Sequence, residues 1–151
     1  MSIFLGGTGS ANELEDYEEG TFTPYLGGTN NYSTYYVTGT GSYTKIGSTV
    51  HVIIRFNNVD LNNSASGQAM IFNMPFTGAR NPTNGSAGIS TNAAYYNVAQ
   101  GGDNEHTWYI TNSTVWYGLV SRHNASWVEF PVSDFHASSV YVNFSGTYFT
   151  A

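Results

Sequence analysis

Apolar positions recur with a period of two along most of the chain, the mark of strands that bury one face. In "TVHVIIRF", residues 49–56, Val50, Val52, Ile54 and Phe56 share one face while His51, Ile53 and Arg55 share the other. In "SVYVNFSGTYF", residues 139–149, Val140, Val142, Phe144 and Tyr148 alternate with Tyr141, Asn143, Ser145 and Thr147. Shorter runs at 21–26, 41–46, 68–73, 86–91, 94–99, 106–111, 114–121 and 126–130 read as further strands. Between them lie Gly- and Asn-rich turns such as "GGTNN", "NNSASG", "NPTNG", "QGGDN" and "RHNA". Many short strands with regular turn signals predict an all-β fold, a jelly-roll-like β-sandwich. No tandem repeat and no long helical period interrupts the pattern.

The opening segment breaks the rhythm. "ELEDYEEGTFTP" holds five of the chain's ten carboxylates within residues 13–19. "SANE" at 10–13 has capping-box spacing, and Gly20 suits the position just past a helix end, so a short helix over 11–19 is one reading. Glu18 and Glu19 at its C-terminus would oppose the macrodipole, and a solvated acidic loop is the other. Either way the expected organisation is an acidic neck at 1–20 and a β-sandwich knob at 21–151.

At 151 residues the chain suits a single core. Only 9% of its residues are charged and 16% are aromatic, with twelve Tyr and seventeen Gly, a strand-and-turn vocabulary rather than a disordered one. Net charge is −6 with four Lys and Arg in all, which cannot build a basic stripe, so no nucleic-acid partner is expected. Cysteine is absent, which removes disulfides and thiolate metal sites. "MSIFLGG" has no basic n-region and is too short to span a bilayer, so neither a signal peptide nor membrane insertion is expected.

Candidate chemistry is sparse. "SDFH" at 133–136 brings Ser, Asp and His together in sequence, but no "GxSxG" elbow accompanies it. Asp60, Asp103, Glu105, Glu129 and Asp134 permit a glycosidase pair without indicating one. "GGDNEH" at 101–106 offers oxygen ligands but lacks EF-hand spacing, and reads as a polar turn. The N-x-S/T triplets at Asn31, Asn112, Asn124 and Asn143 arise by chance in so Asn- and Ser-rich a chain. No catalytic residue, metal site or cofactor is assigned. The aromatics carry more: Trp108-Tyr109 and Trp116-Tyr117 flank a short turn, and strand alternation sends one ring of each pair inward and one outward. Those rings fill the core, form a subunit interface or make a sugar platform. As a sugar platform the candidate ligand-binding residues are Tyr95, Tyr96, Trp108, Trp116, Tyr117, Arg122 and Trp127, with Asn97, Asp103, Asn112 and Asn124 as further polar groups.

Taken in order, "ANELEDYEEGTFTP", "GSYTKIGSTVHVIIRF", "MPFTGARN" and "YVNFSGTYFT" resemble the C-terminal domain of tail-fibre and receptor-binding proteins of tailed bacteriophages. The likeness runs from residue 11 to 151 and fades over about 80–135. Its closing strand is also similar to that of the trimeric jelly rolls of complement-type heads and tumour necrosis factor-like proteins. This resemblance implies a homotrimeric tip domain of a virion fibre that binds a bacterial surface carbohydrate without cleaving it. A purely structural trimerising domain and a glycan hydrolase are the alternatives. It also implies that the acidic segment is the hydrated neck between shaft and knob.

Overall fold

The computed structural model describes residues 3–4, 13–14, 16–61, 64–79, 88–89, 91–96, 98, 105–122, 124–135 and 139–150. Among these, fourteen strands form three antiparallel sheets: β1 (Ile3–Phe4), β2 (Glu13–Leu14), β3 (Tyr17–Phe22), β4 (Tyr25–Gly28), β5 (Tyr36–Thr38), β6 (Thr40–Ile46), β7 (Thr49–Val59), β8 (Ala69–Phe72), β9 (Gly88–Ile89), β10 (Thr91–Tyr96), β11 (Glu105–Ile110), β12 (Val115–Arg122), β13 (Ala125–Glu129) and β14 (Val140–Phe149). A ribbon of β1 and β2 stands apart from a five-stranded sheet, β10-β14-β7-β6-β3, and a seven-stranded sheet, β5-β4-β8-β12-β11-β9, with β13 also on β12. The two larger sheets pack face to face as a sandwich, the all-β architecture that the period-two pattern predicts.

The longest alternating runs form the centre of the five-stranded sheet. β7 and β14 pair over most of their length, and their inward residues Val50, Val52, Ile54, Phe56, Val140, Val142, Phe144 and Tyr148 are all buried. Near one end the register shifts, where Asn58 takes a φ of 51°. That left-handed residue, tolerable for Asn, forms a bulge that turns Val59 back into the core. Facing this layer, the seven-stranded sheet contributes Leu26, Ile71, Trp108, Ile110, Trp116 and Val120. Both indoles meet Phe144 edge to face, at 5.7 Å for Trp108 and 5.5 Å for Trp116, and Trp116 also meets Tyr148 at 5.8 Å.

The expected strand at 21–26 is two strands in two sheets. Pro24 has no N–H to give a ladder, so β3 ends at Phe22 and the chain crosses to the seven-stranded sheet at Tyr25. It returns at Gly39, where a Cβ would lie 2.6 Å from the Phe56 ring, so only glycine fits the crossing. The candidate runs at 86–91 and 94–99 are recovered as β9 and β10, which ends at Tyr96. Residues 86, 87, 90, 97 and 99 lie outside the described set.

Where it is described, the acidic segment forms no helix, and apart from Asp16 it is strand. Glu13–Leu14 pairs with Ile3–Phe4, and Tyr17–Phe22 pairs with β6 at the edge of the five-stranded sheet. β3 therefore runs across the expected division at residues 20 and 21. Its acids have local partners: Asp16 holds Lys45 through both carboxylate oxygens at 2.6 and 2.7 Å, Glu18 accepts from Tyr43 at 2.6 Å, and Glu19 accepts from Tyr17 at 2.7 Å. Cross-strand pairing with a Lys- and Tyr-bearing strand outweighs a capping box that has only local bonds to offer.

Tyr148 is the polar element of the core. Its hydroxyl accepts from the Phe76 N–H at 3.2 Å and donates to the Phe76 carbonyl at 3.1 Å, which fastens the 73–79 segment to β14. Tyr148→Phe is expected to strand both backbone groups and to cost about 1–3 kcal/mol, read as a lower urea midpoint at unchanged slope.

Candidate functional site

Strand parity decides which candidate rings are available to a ligand. Trp108 and Trp116 have no exposed surface and belong to the core; as candidate ligand contacts they are corrected here. Their inward parity matches Ile110 and Val120, so Tyr109 and Tyr117 of the two pairs face out. Tyr95 is also turned inward. Its hydroxyl accepts from the Trp108 indole N–H at 2.6 Å, and its ring packs against His106, Phe130 and Phe135. Burial pushes its phenol well above the usual range. Tyr96, 67% exposed, lies beside Tyr141 on the outer face of the five-stranded sheet, the opposite side of the sandwich from Tyr117. Asn97 and Asp103 lie outside the described residues.

Two of the seven candidates, Tyr117 and Trp127, share the outer side of the seven-stranded sheet, whereas Arg122 has the inward parity of Trp116 and Val120 and is exposed because it ends β12. Val128 opposite Val120 points inward, so its neighbour Trp127 points outward and is 64% exposed. Trp127 and Arg122 line one open depression of about 720 Å³ together with Val120, Val128, Glu129, Pro131 and Asp134.

Sequence reading missed most of the rings on this face. Tyr25 on β4 lies opposite Phe72 on β8, which lies opposite Val115 on β12. Around Phe72 the rings close into a cluster: Tyr25 at 5.2 Å, Tyr32 at 5.5 Å and Tyr36 at 5.9 Å, with Tyr25 and Tyr36 themselves 4.8 Å apart. One strand across, Tyr109 and Tyr117 face each other in register at 5.6 Å. The Tyr117 phenol is pushed up by burial and then by the neighbouring phenols of Tyr109 and Tyr32. Tyr32 sits on a turn pinned from two sides. The Asn31 side-chain amide donates to the Ser64 carbonyl, and its oxygen accepts from the Ser66 N–H at 3.1 Å. The result is a rigid aromatic floor edged with hydroxyls, the surface that suits a ligand with apolar C–H faces and polar rims.

Among the described residues no three His, Asp or Glu side chains gather into a metal site. β11 sends Glu105 outward and His106 inward, so these two do not act together on a cation. His106 packs on Phe130 with centroids 4.2 Å apart, and burial lowers its pKa. The neutral imidazole therefore stabilises the fold fully above the unfolded value near 6.5, and that contribution is lost as pH falls through the lower folded value. Thermal midpoints are expected to drop between about pH 7 and pH 5. They should drop less in His106→Phe, as melting curves across that range will read.

No protein-family model and no curated protein matches the chain. Among solved structures, the crystal structure of the Dettilon tailspike protein matches 88% of this chain with a TM-score of 0.65 at 15% identity. The chain spans 24% of the length of that tailspike. The sandwich described above is thus the fold of one part of a much longer protein.

Proposed function

We propose that this chain is a receptor-binding domain of a bacteriophage tail fibre or tailspike, located on the virion. It binds bacterial surface carbohydrate through the outer face of its seven-stranded sheet and does not cleave it. The observation that carries this reading is the ordered row of half-exposed rings on that face, in a domain whose fold also occurs within a tailspike.

Trimerisation belongs to the other side of the sandwich. The outer face of the five-stranded sheet carries Ile46, Ile53, Tyr96, Tyr141 and Phe149, each more than a third exposed. Tyr17, Ile46, Thr49 and Phe149 form one cross-strand row, and Ile53, 57% exposed, stands between Ser42 and Ser145 in another. Apolar side chains flanked by small polar ones suit packing against copies of the same face, which leaves the ring-bearing face of every copy free. At about 25 cal/mol per Å², covering them would contribute several kcal/mol per interface. Three weak sites on one trimer then adhere through avidity.

Two measurements test this. Tyr36→Ala and Tyr117→Ala, checked for an unchanged melting curve, are expected to weaken binding to arrayed bacterial surface polysaccharides by about tenfold or more, with no reducing sugar released by the parent. Parent-like binding by both would leave the rings without a ligand role and favour the purely structural alternative. Ile53→Lys is expected to stay folded yet sediment as monomer where the parent sediments as trimer. A monomeric parent at micromolar concentration would end the trimer reading.

A further inference from the structure

On the strength of that reading, the geometry points to a more specific ligand: a linear, uncharged polysaccharide that lies along β12 and occupies at least four sugar positions. β12 is flanked on one side by β8 and then β13. Phe72 stands opposite Val115, Met70 opposite Tyr117, and Glu129 opposite Leu119, with Trp127 one outward position beyond Glu129. Outward side chains of these strands thus form one continuous track, from the Tyr25–Tyr36–Phe72 cluster past Tyr117 and Tyr109 to Trp127. From Val115 to Ser121 the track is about 20 Å long, the length of roughly four pyranose units at about 5 Å each. The rings at its two ends are too far apart for one sugar, which favours an extended chain over a compact one.

Charge along the track selects the class. The central floor of Tyr25, Tyr36, Phe72, Tyr109 and Tyr117 carries no charged group. The Trp127 end sets one guanidinium, Arg122, beside two carboxylates, Glu129 and Asp134. Glu105 lies on the same outer side, opposite Ser121. With a chain net charge of −6, this surface repels a polyanion. Arg122 with carboxylates beside a flat indole is a set that donates to and accepts from vicinal hydroxyls, which every neutral sugar displays.

The test uses the full chain and purified bacterial polysaccharides, neutral and anionic, followed by a length ladder cut from the strongest binder. Neutral polysaccharides are expected to bind with little dependence on salt between 50 and 500 mM, roughly as expected when charge pairing contributes little. Affinity is expected to rise with chain length up to about four or five units and then level off. Trp127→Ala should lower the affinity of the longest fragment about tenfold and leave that of the disaccharide unchanged. Tyr117→Ala should weaken both. Binding that is independent of length, or indifferent to Trp127→Ala while Tyr117→Ala abolishes it, overturns the extended track and leaves the receptor-binding reading standing. Preference for an anionic polysaccharide, lost in high salt, overturns the neutral assignment alone. No binding to any polysaccharide overturns both readings.

Discussion

The packing of Trp108 and Trp116 on Phe144 constrains everything else in this sandwich. Both indoles meet that one ring edge to face, from neighbouring strands of the opposite sheet. Trp108 lies opposite Gly118, where a side chain would press on Phe130 at about 3.0 Å, so the glycine keeps the place of Phe130, whose ring meets Trp108 at 6.0 Å. Once the indoles are inside, strand alternation leaves Tyr109 and Tyr117 no choice of face. The outward, half-buried phenols are therefore a consequence of the core packing beneath them.

Period-two patterning put Val50, Val52, Ile54 and Phe56 of β7 and Val140, Val142, Phe144 and Tyr148 of β14 on the correct face, but not Val59, which the bulge at Asn58 turns inward against the alternation. For the Trp-Tyr pairs, parity alone is symmetric: it requires one ring in and one out without saying which. The tie is broken by Gly118 and Phe144, which become neighbours of the indoles only through the fold. Tyr25, Tyr32, Tyr36 and Phe72 escaped sequence reading for a related reason. They come from separate segments that meet through the β4–β8 register and a turn pinned by Asn31, and no local motif marks them. Arg122 and Trp127 were within reach because a short hairpin joins their strands.

The acidic segment shows local preference yielding to tertiary pairing. A capping box offers two bonds at one helix end, whereas β3 gains a full ladder with β6, together with Lys45 and Tyr43 as side-chain partners. The Asp16–Lys45 pair is largely exposed on the carboxylate side, so its own contribution is within about 1 kcal/mol. What the charges do by their position is more important. β3 is an edge strand, and a row of carboxylates along an edge discourages another strand from adding to it. A chain with so little charge elsewhere has few other means of keeping that edge to itself.

A ligand surface made of strand residues differs from one made of loops in what binding must order. Tyr side chains have two rotatable bonds, and here the backbone of Tyr25, Tyr36, Tyr109 and Tyr117 is held by ladders while their rings are held by one another. On the proposed function, little conformational freedom would be lost if a sugar stacked on them, so modest contacts would translate into affinity more fully than on a mobile loop. The same ladders fix ring spacing along β12, and a spacing that cannot adapt would discriminate between saccharide chains, on the proposed reading, by their repeat distance. Specificity on such a face follows from the register of the strands. An inserted or deleted residue in β8, β12 or β13 would turn its rings to the other face and abolish the track, whereas exchanges among Tyr, Phe and Trp at outward positions would retune it without touching the core.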